Sequence, residues 1–340
     1  MNNGHASQAE PITRTLTGVQ ILGTGSYAPD NVVTNEDLNV SHGFDPEWIV
    51  NRTGILERRF APPHQATSDL CAQAATRCLK EAGCKPSEVD LLVLGTMTPD
   101  MYFPSTACIV QDRLHLACPA FDLAAACAGF AYGLITGCQF VAAGSSQRAL
   151  VVGGDCNSRV INPNDQKSFP LFGDGAGAVL LAPGSPEQGM LAYQWGADGS
   201  GGPLLNRPAC GSRMPPSPEA LEKELHYLTM DGRAVFKWAV RILADSVQAV
   251  LNHAGYTVED VRWFIPHQAN VRIIHSASDV LGFPRNKVFK NLERYGNTSG
   301  GSIPIALDEM MQQGMIRKGD LLLIAGFGAG LAWGTTLWRW

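Results

Sequence analysis

The stretch FDLAAACAGFAYG, Phe121 to Gly133, passes from an apolar, turn-bounded run into small and large apolar residues at helical spacing, with one thiol, Cys127, at the junction. PAFDLA reads as a strand and AGFAYGLITGCQFVAAG as a helix. A buried free cysteine is ordinarily a small hydrophobe. At a strand-to-helix junction it has another use. Unpaired backbone N–H groups and the positive end of the helix dipole favour thiolate over thiol and supply donors for an oxyanion. The position therefore predicts a thiol of lowered pKa.

Moving outward from Cys127, the plan repeats. The helix is followed by the strand ALVVGGD, which ends at Gly153 and Gly154. In the second half NTSGGSIPIALDEMMQQG puts Asn297 at a similar helix start, and DLLLIAGFGAG ends in glycines at Gly326 and Gly328. The spacings agree, with 26 residues from Cys127 to Gly153 and 29 from Asn297 to Gly326. Two copies of one strand–helix–strand plan predict an α/β fold of two similar halves related by a pseudo-two-fold axis, both polar helix starts converging on one site. The Pro- and Gly-rich PGSPEQG, Pro183 to Gly189, divides the halves. On this reading residues 1–17 are a loose polar extension, residues 18–185 a half carrying the thiol, and residues 186–340 a half carrying His267 and Asn297. GSGGPLLNRPACGSRMPPSP, Gly199 to Pro218, is too long for an ordinary connection and suits a cover over an active site or interface. TSDLCAQAATRCLKEAG, with a Thr/Ser start and a Gly stop, and the long segment from Gly232 to Gly255 read as further helices.

Composition narrows the class. The chain has 340 residues, 45% of them hydrophobic and 17% charged, which is a soluble globular protein with one large core or two fused ones. The N-terminus lacks a basic start followed by an apolar run, and no stretch reaches about 18 uninterrupted apolar residues, so neither a signal peptide nor a membrane span is expected. The nine cysteines include no C-x-x-C pair, in keeping with reduced thiols and a cytoplasmic protein. The eight histidines form neither H-E-x-x-H nor a cluster at ligand spacing, so no metal site is expected. A net charge of −5 argues against nucleic acid as the main partner.

Several motifs bear on chemistry. His267, in VRWFIPHQAN, follows a strand-like run, where a lone histidine is most often a structural hydrogen-bonder. Asn297, in YGNTSGGS, taken alone is an ordinary helix cap. GFGAGLAWG, Gly326 to Gly334, either lets backbone N–H groups approach a ligand or makes a tight turn. GDGAGA, Gly173 to Ala178, lacks the G-x-G-x-x-G pattern opening a helix and reads as a structural turn before the strand-like AVLLA. In chain order, Cys127, His267 and Asn297 make a cysteine–histidine–asparagine set. Two unrelated chemistries use one: papain-like proteolysis and carbon–carbon bond formation on a thioester. The 140 residues from Cys127 to His267 fit the first loosely, but C-G-[SA]-C-[WY] is absent and the thiol lies far from the N-terminus.

AAACAGF, GDGAGA, PHQAN, GNTSGGS and GFGAGLAWG, with GTGSYAPD (Gly23 to Asp30) and DPEWIVNRTGI (Asp45 to Ile55), resemble β-ketoacyl-[acyl carrier protein] synthase III. The resemblance runs from about Gly18 to Trp340. It implies a thiolase-like α/β/α/β/α layered sandwich, a homodimer, and initiation of type II fatty acid synthesis by condensing an acyl-CoA, acetyl-CoA above all, with malonyl-acyl carrier protein, without metal or organic cofactor. It also implies roles. Cys127 attacks the acyl-CoA thioester while its own N–H and that of Ala329 hold the oxyanion. His267 and Asn297 donate to the enolate oxygen formed by decarboxylation. Phe327 packs under the thiol on the CoA side, Trp48 and Arg52 contact the CoA adenine and phosphate, and Asn270 contacts the pantetheine arm. Phe103 reaches across the dimer into the partner's acyl pocket.

Arg233, Lys237 and Arg241 recur every four residues and form one basic stripe, which is commonly just a solvated face. The resemblance maps Lys237 and Arg272 onto docking positions for the acidic carrier protein, with Arg285 and Lys287 placed to widen the patch. The chain departs from the family pattern at Gln166, where an arginine stacks on the adenine in other members, leaving Lys167 to supply charge. Asp279 and Val280 replace a lysine pair seen in some members, which shifts docking toward Arg233 and Arg285. Competing readings are a starter-unit condensing enzyme of quinolone or polyketide metabolism, which shares the whole catalytic set, and a non-catalytic paralogue, which the intact set disfavours. Hydroxymethylglutaryl-CoA synthase needs a glutamate base near the thiol, and no candidate stands out.

Overall fold

Two apolar runs without polar alternation, LLVLG at Leu91–Gly95 and ALVVGGD at Ala149–Asp155, are buried along their whole length, as strands covered on both faces require. They lie in a computed structural model that describes residues 11–340. Its strands are β1 (Arg14–Thr17), β2 (Val19–Tyr27), β3 (Val32–Thr34), β4 (Glu57–Arg59), β5 (Leu91–Gly95), β6 (Ala120–Leu123), β7 (Ala149–Asp155), β8 (Gly175–Pro183), β9 (Gly189–Ala197), β10 (Leu205–Asn206), β11 (Thr229–Met230), β12 (Trp263–Pro266), β13 (Leu321–Gly328) and β14 (Ala332–Arg339). Its α-helices are α1 (Asn35–His42), α2 (Pro46–Thr53), α3 (Thr67–Glu81), α4 (Thr106–Arg113), α5 (Gly129–Ala142), α6 (Pro218–Glu222), α7 (Gly232–Ala254), α8 (Val271–Leu281), α9 (Leu292–Tyr295) and α10 (Ser302–Gln312).

Two five-stranded sheets organise the molecule, in the orders β2-β8-β7-β5-β6 and β1-β9-β14-β13-β12. In the first, β5 runs parallel to β6 and β7, while β7–β8 and β8–β2 are antiparallel. The second repeats this, with β12 parallel to β13 and β13–β14 and β14–β9 antiparallel. The place that β6 holds beside β5 is held beside β12 by a single parallel bridge between Phe264 and Val288. One apolar cluster joins Val93 and Val151 of the first sheet to Leu134 and Ile135 of α5, Ile303 and Leu307 of α10, and Leu322 and Ile324 of the second sheet. Helices α5 and α10 are therefore the middle layer. Leu70 and Leu79 of α3 and Val110 of α4 cover the outer face of the first sheet. Leu243 and Val247 of α7 and Ile274 of α8 cover that of the second. The result is the five-layered α/β/α/β/α sandwich of two similar halves.

The halves approach most closely where α5 and α10 begin. A Cβ on Gly153, in β7, would lie 2.3 Å from the carbonyl oxygen of Gly300, so only glycine admits the turn that leads into α10. Each helix is preceded by a short 3₁₀ turn, Ala126–Ala128 or Ser299–Gly301, and in each turn the first residue has left-handed backbone, φ 45° at Ala126 and 50° at Ser299. Such conformations cost on the order of 1–3 kcal/mol each and concentrate at functional sites.

Three expectations change. Of the extension expected over residues 1–17, residues 1–10 lie outside the described residues, and Arg14–Thr17 form β1, antiparallel to β9, because a sheet edge offers a short polar segment unpaired backbone groups. GDGAGA is not a turn: Gly173 and Asp174 are irregular, and Gly175 to Ala178 already belong to β8. The Thr67 hydroxyl does not cap α3: it donates to the carbonyl of Thr98 at 2.6 Å, while the Asp69 carboxylate takes the Ala66 N–H. Pro183–Gly189 carries the chain from β8 in the first sheet to β9 in the second, and Gly199–Pro218 begins with a 3₁₀ turn and with β10, which pairs with β11. Among the described residues no helix is long and apolar enough to cross a membrane.

Candidate active site

Strand β12 ends at Pro266 and delivers His267, whose side chain is 1% exposed. Its N–H donates to Ala325 O of the neighbouring β13 at 2.8 Å, which fixes the backbone. Its Nδ1 lies 2.6 Å from Ser302 Oγ, and the ring meets Phe327 edge-on with centroids 5.1 Å apart. Burial drives its pKa down to about 3, so the imidazole is neutral at pH 7.

Asn297 is held on all sides of its backbone. Its N–H donates to Leu171 O at 2.8 Å, and its carbonyl accepts from Gly173 N at 3.0 Å and Asn157 Nδ2 at 3.3 Å. The side-chain Oδ1 accepts from Ser299 N at 2.8 Å, which assigns the amide and turns the Nδ2 hydrogens to the cavity. Here the asparagine caps the turn and keeps a donor to spare.

Cys127 sits in the 3₁₀ turn ahead of α5 and is 8% exposed. Its thiol does not have the lowered pKa expected from the junction. Burial pushes it up to about 12, the nearby Ser299 hydroxyl opposes this, and the Asp155 carboxylate reinforces it. Desolvation outweighs the helix dipole because α5 proper begins only at Gly129, after the thiol has already been enclosed. Against the Cys127 backbone lies the end of β13: a Cβ on Gly328 would fall 2.7 Å from Cys127 N. Ala329, next along, lines the same cavity.

That cavity, about 720 Å³, brings the set together. Cys127, His267, Asn297, Phe327 and Ala329 line it at one end, and the half-buried Trp48 and the exposed Arg52, Lys167, Arg233 and Arg272 line its mouth. No aspartate or glutamate is among the described residues lining it, so the mouth is cationic throughout. Arg272 also lies over the Phe236 ring, 5.8 Å from the centroid. Asn270 lines the cavity too, but its side chain is engaged as the cap of α8, accepting from Arg272 N at 2.8 Å and donating to Arg52 O at 3.1 Å. Lys237 and Arg241 share the exposed face of α7 with Arg233 but lie outside the cavity lining. Gln166 lies outside it as well, whereas its neighbour Lys167 lines it. Phe103 is 86% exposed on the surface, apart from this chain's own cavity.

Other contributors had no local signal. Leu205 of β10, Met230 of β11 and Leu228 just before β11 wall the cavity, so the Gly199–Pro218 stretch does border the site through Leu205. Asp155, at the end of β7, is fully buried and accepts from Met97 N at 2.8 Å and Gly300 N at 2.9 Å, tying the first half to the turn before α10. Ser302 touches His267 although 35 residues separate them. GNTSGGS contains both Asn297 and Ser302, and only the asparagine stands out without the fold. Among the described residues, no group of three or more His, Cys, Asp or Glu side chains is placed to hold a metal ion.

Comparison with known proteins places this geometry in a family. Residues 121–199 match the model of 3-oxoacyl-[acyl-carrier-protein] synthase III, and residues 251–340 match that of its C-terminal part. A β-ketoacyl-[acyl-carrier-protein] synthase III of Rhodopirellula baltica is 51% identical over 343 aligned residues, covering 96% of this chain and 99% of the relative. The crystal structure of 3-oxoacyl-[acyl-carrier-protein] synthase III from Aquifex aeolicus superposes with a TM-score of 0.88 at 42% identity, covering 95% of this chain and all of that one. The priming β-ketosynthase of the R1128 polyketide pathway superposes with a TM-score of 0.87 at 35% identity, with 98% of each chain covered. With a thiol, an imidazole and an amide converging in one cavity and full-length identity of this degree, the chain belongs to the β-ketoacyl-[acyl carrier protein] synthase III family of condensing acyltransferases.

Proposed function

We propose that the protein carries out the initiating condensation of type II fatty acid synthesis, with Cys127 as nucleophile and His267 and Asn297 as the enolate donors. The observation that carries this reading is the pair of donors. His267 and Asn297 each have their acceptor atom engaged by the turn before α10 or its first residue, which leaves N–H groups for the cavity that Cys127 shares.

The chemistry follows from that layout. An acyl-CoA enters by its acyl end while its phosphates stay at the cationic mouth formed by Arg52, Lys167, Arg233 and Arg272. The Cys127 sulfur attacks the thioester carbonyl, the backbone N–H groups of Cys127 and Ala329 take the oxyanion, and the departing CoA sulfur leaves with the thiol proton. Because the resting thiol is neutral, deprotonation accompanies attack rather than preceding it. A malonyl thioester then loses CO₂, and the electrons of the broken bond form an enolate whose oxygen accepts from His267 and Asn297. A neutral imidazole serves here as a donor, since decarboxylation requires no base. The enolate carbon attacks the acyl-cysteine, giving the β-ketoacyl thioester and a Cys127 thiolate that regains a proton from solvent. The reaction balances without metal or organic cofactor, acyl-CoA being a substrate.

Malonyl-acyl carrier protein is the proposed second substrate, docking on the face of α7 that bears Arg233, Lys237 and Arg241, next to Arg272. The exposed Phe103 is the proposed contact with a second copy, making a homodimer in the cytoplasm. A starter-unit role in polyketide synthesis is the second reading, favoured by the likeness to the R1128 enzyme and by Gln166. The experiment is to incubate pure protein with acyl-CoAs from acetyl through decanoyl, straight and branched, and read intact mass with and without malonyl-acyl carrier protein. Acetylation at Cys127 discharged onto the carrier supports the fatty acid reading. Labelling only by longer or branched acyl groups moves the protein to the second, and no acylation of Cys127 by any of them overturns both.

A further inference from the structure

Ser302, the first residue of α10, makes its side-chain contacts with the residues after β12 and not within its own helix. It is 2% exposed, and its Oγ has two partners: His267 Nδ1 at 2.6 Å and the Gln268 backbone N–H at 3.4 Å. We propose that Ser302 is a positioning residue that holds His267 in the Nε2–H tautomer, so that the imidazole offers the thioester oxygen a donor and not a lone pair. The proposal rests on the reading of His267 as an enolate donor.

The hydrogen-bond inventory decides the tautomer. A neutral imidazole has one donor and one acceptor nitrogen, and a hydroxyl has one hydrogen to give. Gln268 N–H can only donate, so at that contact Ser302 Oγ accepts. Were His267 Nδ1 also protonated, Oγ would accept twice and the hydroxyl hydrogen would be buried without an acceptor, a state native structures avoid. With the hydroxyl donating to Nδ1, all three groups are satisfied and the ring proton resides on Nε2, the nitrogen left for the cavity that His267 lines. Ser299 treats Asn297 in the same way, its N–H occupying Oδ1 at 2.8 Å. One turn of chain, Ser299 to Ser302, thus orients both donors.

The test uses full-length protein labelled with ¹⁵N-histidine, together with Ser302→Ala, Ser302→Thr and His267→Ala. In the wild type, NMR should show His267 Nδ1 as the unprotonated, pyridine-type nitrogen and Nε2 as the protonated one; protonation at Nδ1 overturns the proposal with no variant needed. Ser302→Ala should lower kcat for decarboxylation of malonyl-acyl carrier protein about tenfold, the scale on which such supporting contacts act, while KM changes by less than about twofold. Acetylation of Cys127, followed by intact mass, reports the fraction of folded protein. Ser302→Thr, which keeps the hydroxyl, should recover most of the rate. Wild-type decarboxylation by Ser302→Ala, or a threonine variant as slow as the alanine one, overturns the role of Ser302. If His267→Ala itself decarboxylates at the wild-type rate, the failure lies in the reading of His267 instead.

Discussion

Gly328→Ala tests whether the end of β13 sets the position of the nucleophile. The added Cβ would sit 2.7 Å from Cys127 N, 2.9 Å from Cys127 Cβ and 3.1 Å from Ala128 N. Ordinary contact needs about 3.5 Å, so the strand and the Cys127 turn must separate by roughly 0.8 Å. Neither side is soft: Gly328 pairs with Ala332 in the β13–β14 ladder, and Ala128 N is held by Ala125 O at 3.0 Å. Overpacking of this kind costs about 1–3 kcal/mol of stability. The larger effect falls on chemistry, because displacement of a reacting group by about 1 Å lowers the rate on the order of a hundredfold. Both proposed oxyanion donors, Cys127 N and Ala329 N, flank the strained contact and would move with it. The assay is single-turnover acetylation by acetyl-CoA, read by intact mass, beside decarboxylation of malonyl-acyl carrier protein on the same sample. Acetylation should fall about a hundredfold and decarboxylation by clearly less, since His267 and Asn297 are held by other contacts. Acetylation within about threefold of wild type, at unchanged stability, would refute the argument that this glycine positions the thiol.

Further outcomes follow from the same geometry. Because burial holds the Cys127 thiol at a pKa of about 12, alkylation of this cysteine in the free protein should rise about tenfold per pH unit from pH 7 to 9, and a plateau by pH 8 would contradict the burial argument. His267 titrates near 3 when folded and near 6.5 when unfolded, so the unfolded chain binds the extra proton and stability falls as pH drops below 6.5. Between pH 7.5 and 5.5 the wild type should lose about 1.4 kcal/mol more than His267→Ala in denaturant titrations, and equal slopes would argue that the imidazole is not buried neutral. Replacing Lys237 and Arg241 together by glutamate should raise KM for the carrier thioester about tenfold, with a weaker dependence on salt, and leave acetylation by acetyl-CoA intact, since both side chains lie outside the cavity. An unchanged KM would move docking off this face of α7.

How far the sequence reaches is visible residue by residue. Strands such as β5 and β7 and helices such as α5 and α7 are legible because their apolar patterns are local and long. Strand β1 is not, since RTLT is short, half exposed and dependent on pairing with β9 more than 170 residues away. Gly175 to Ala178 read as a turn because their glycines signal loop, whereas a Cβ on Gly177 would meet Ile305 N at 2.7 Å and the fold needs glycine inside a strand.

The same division runs through the site. The sequence by itself determined the two-fold strand–helix plan, the placing of a thiol and an amide at matching helix starts, and the cysteine–histidine–asparagine order, because these depend on residue type and local spacing. Tertiary structure alone decided the state of each group. Enclosure of Cys127 raises its pKa where the junction predicted a fall, Ser302 reaches His267 from another element, and four cations gather at one mouth from α2, α7, α8 and the loop bearing Lys167. Desolvation, hydrogen-bond partners and electrostatic grouping are properties of atoms brought together through space, and neighbours in the chain do not specify them.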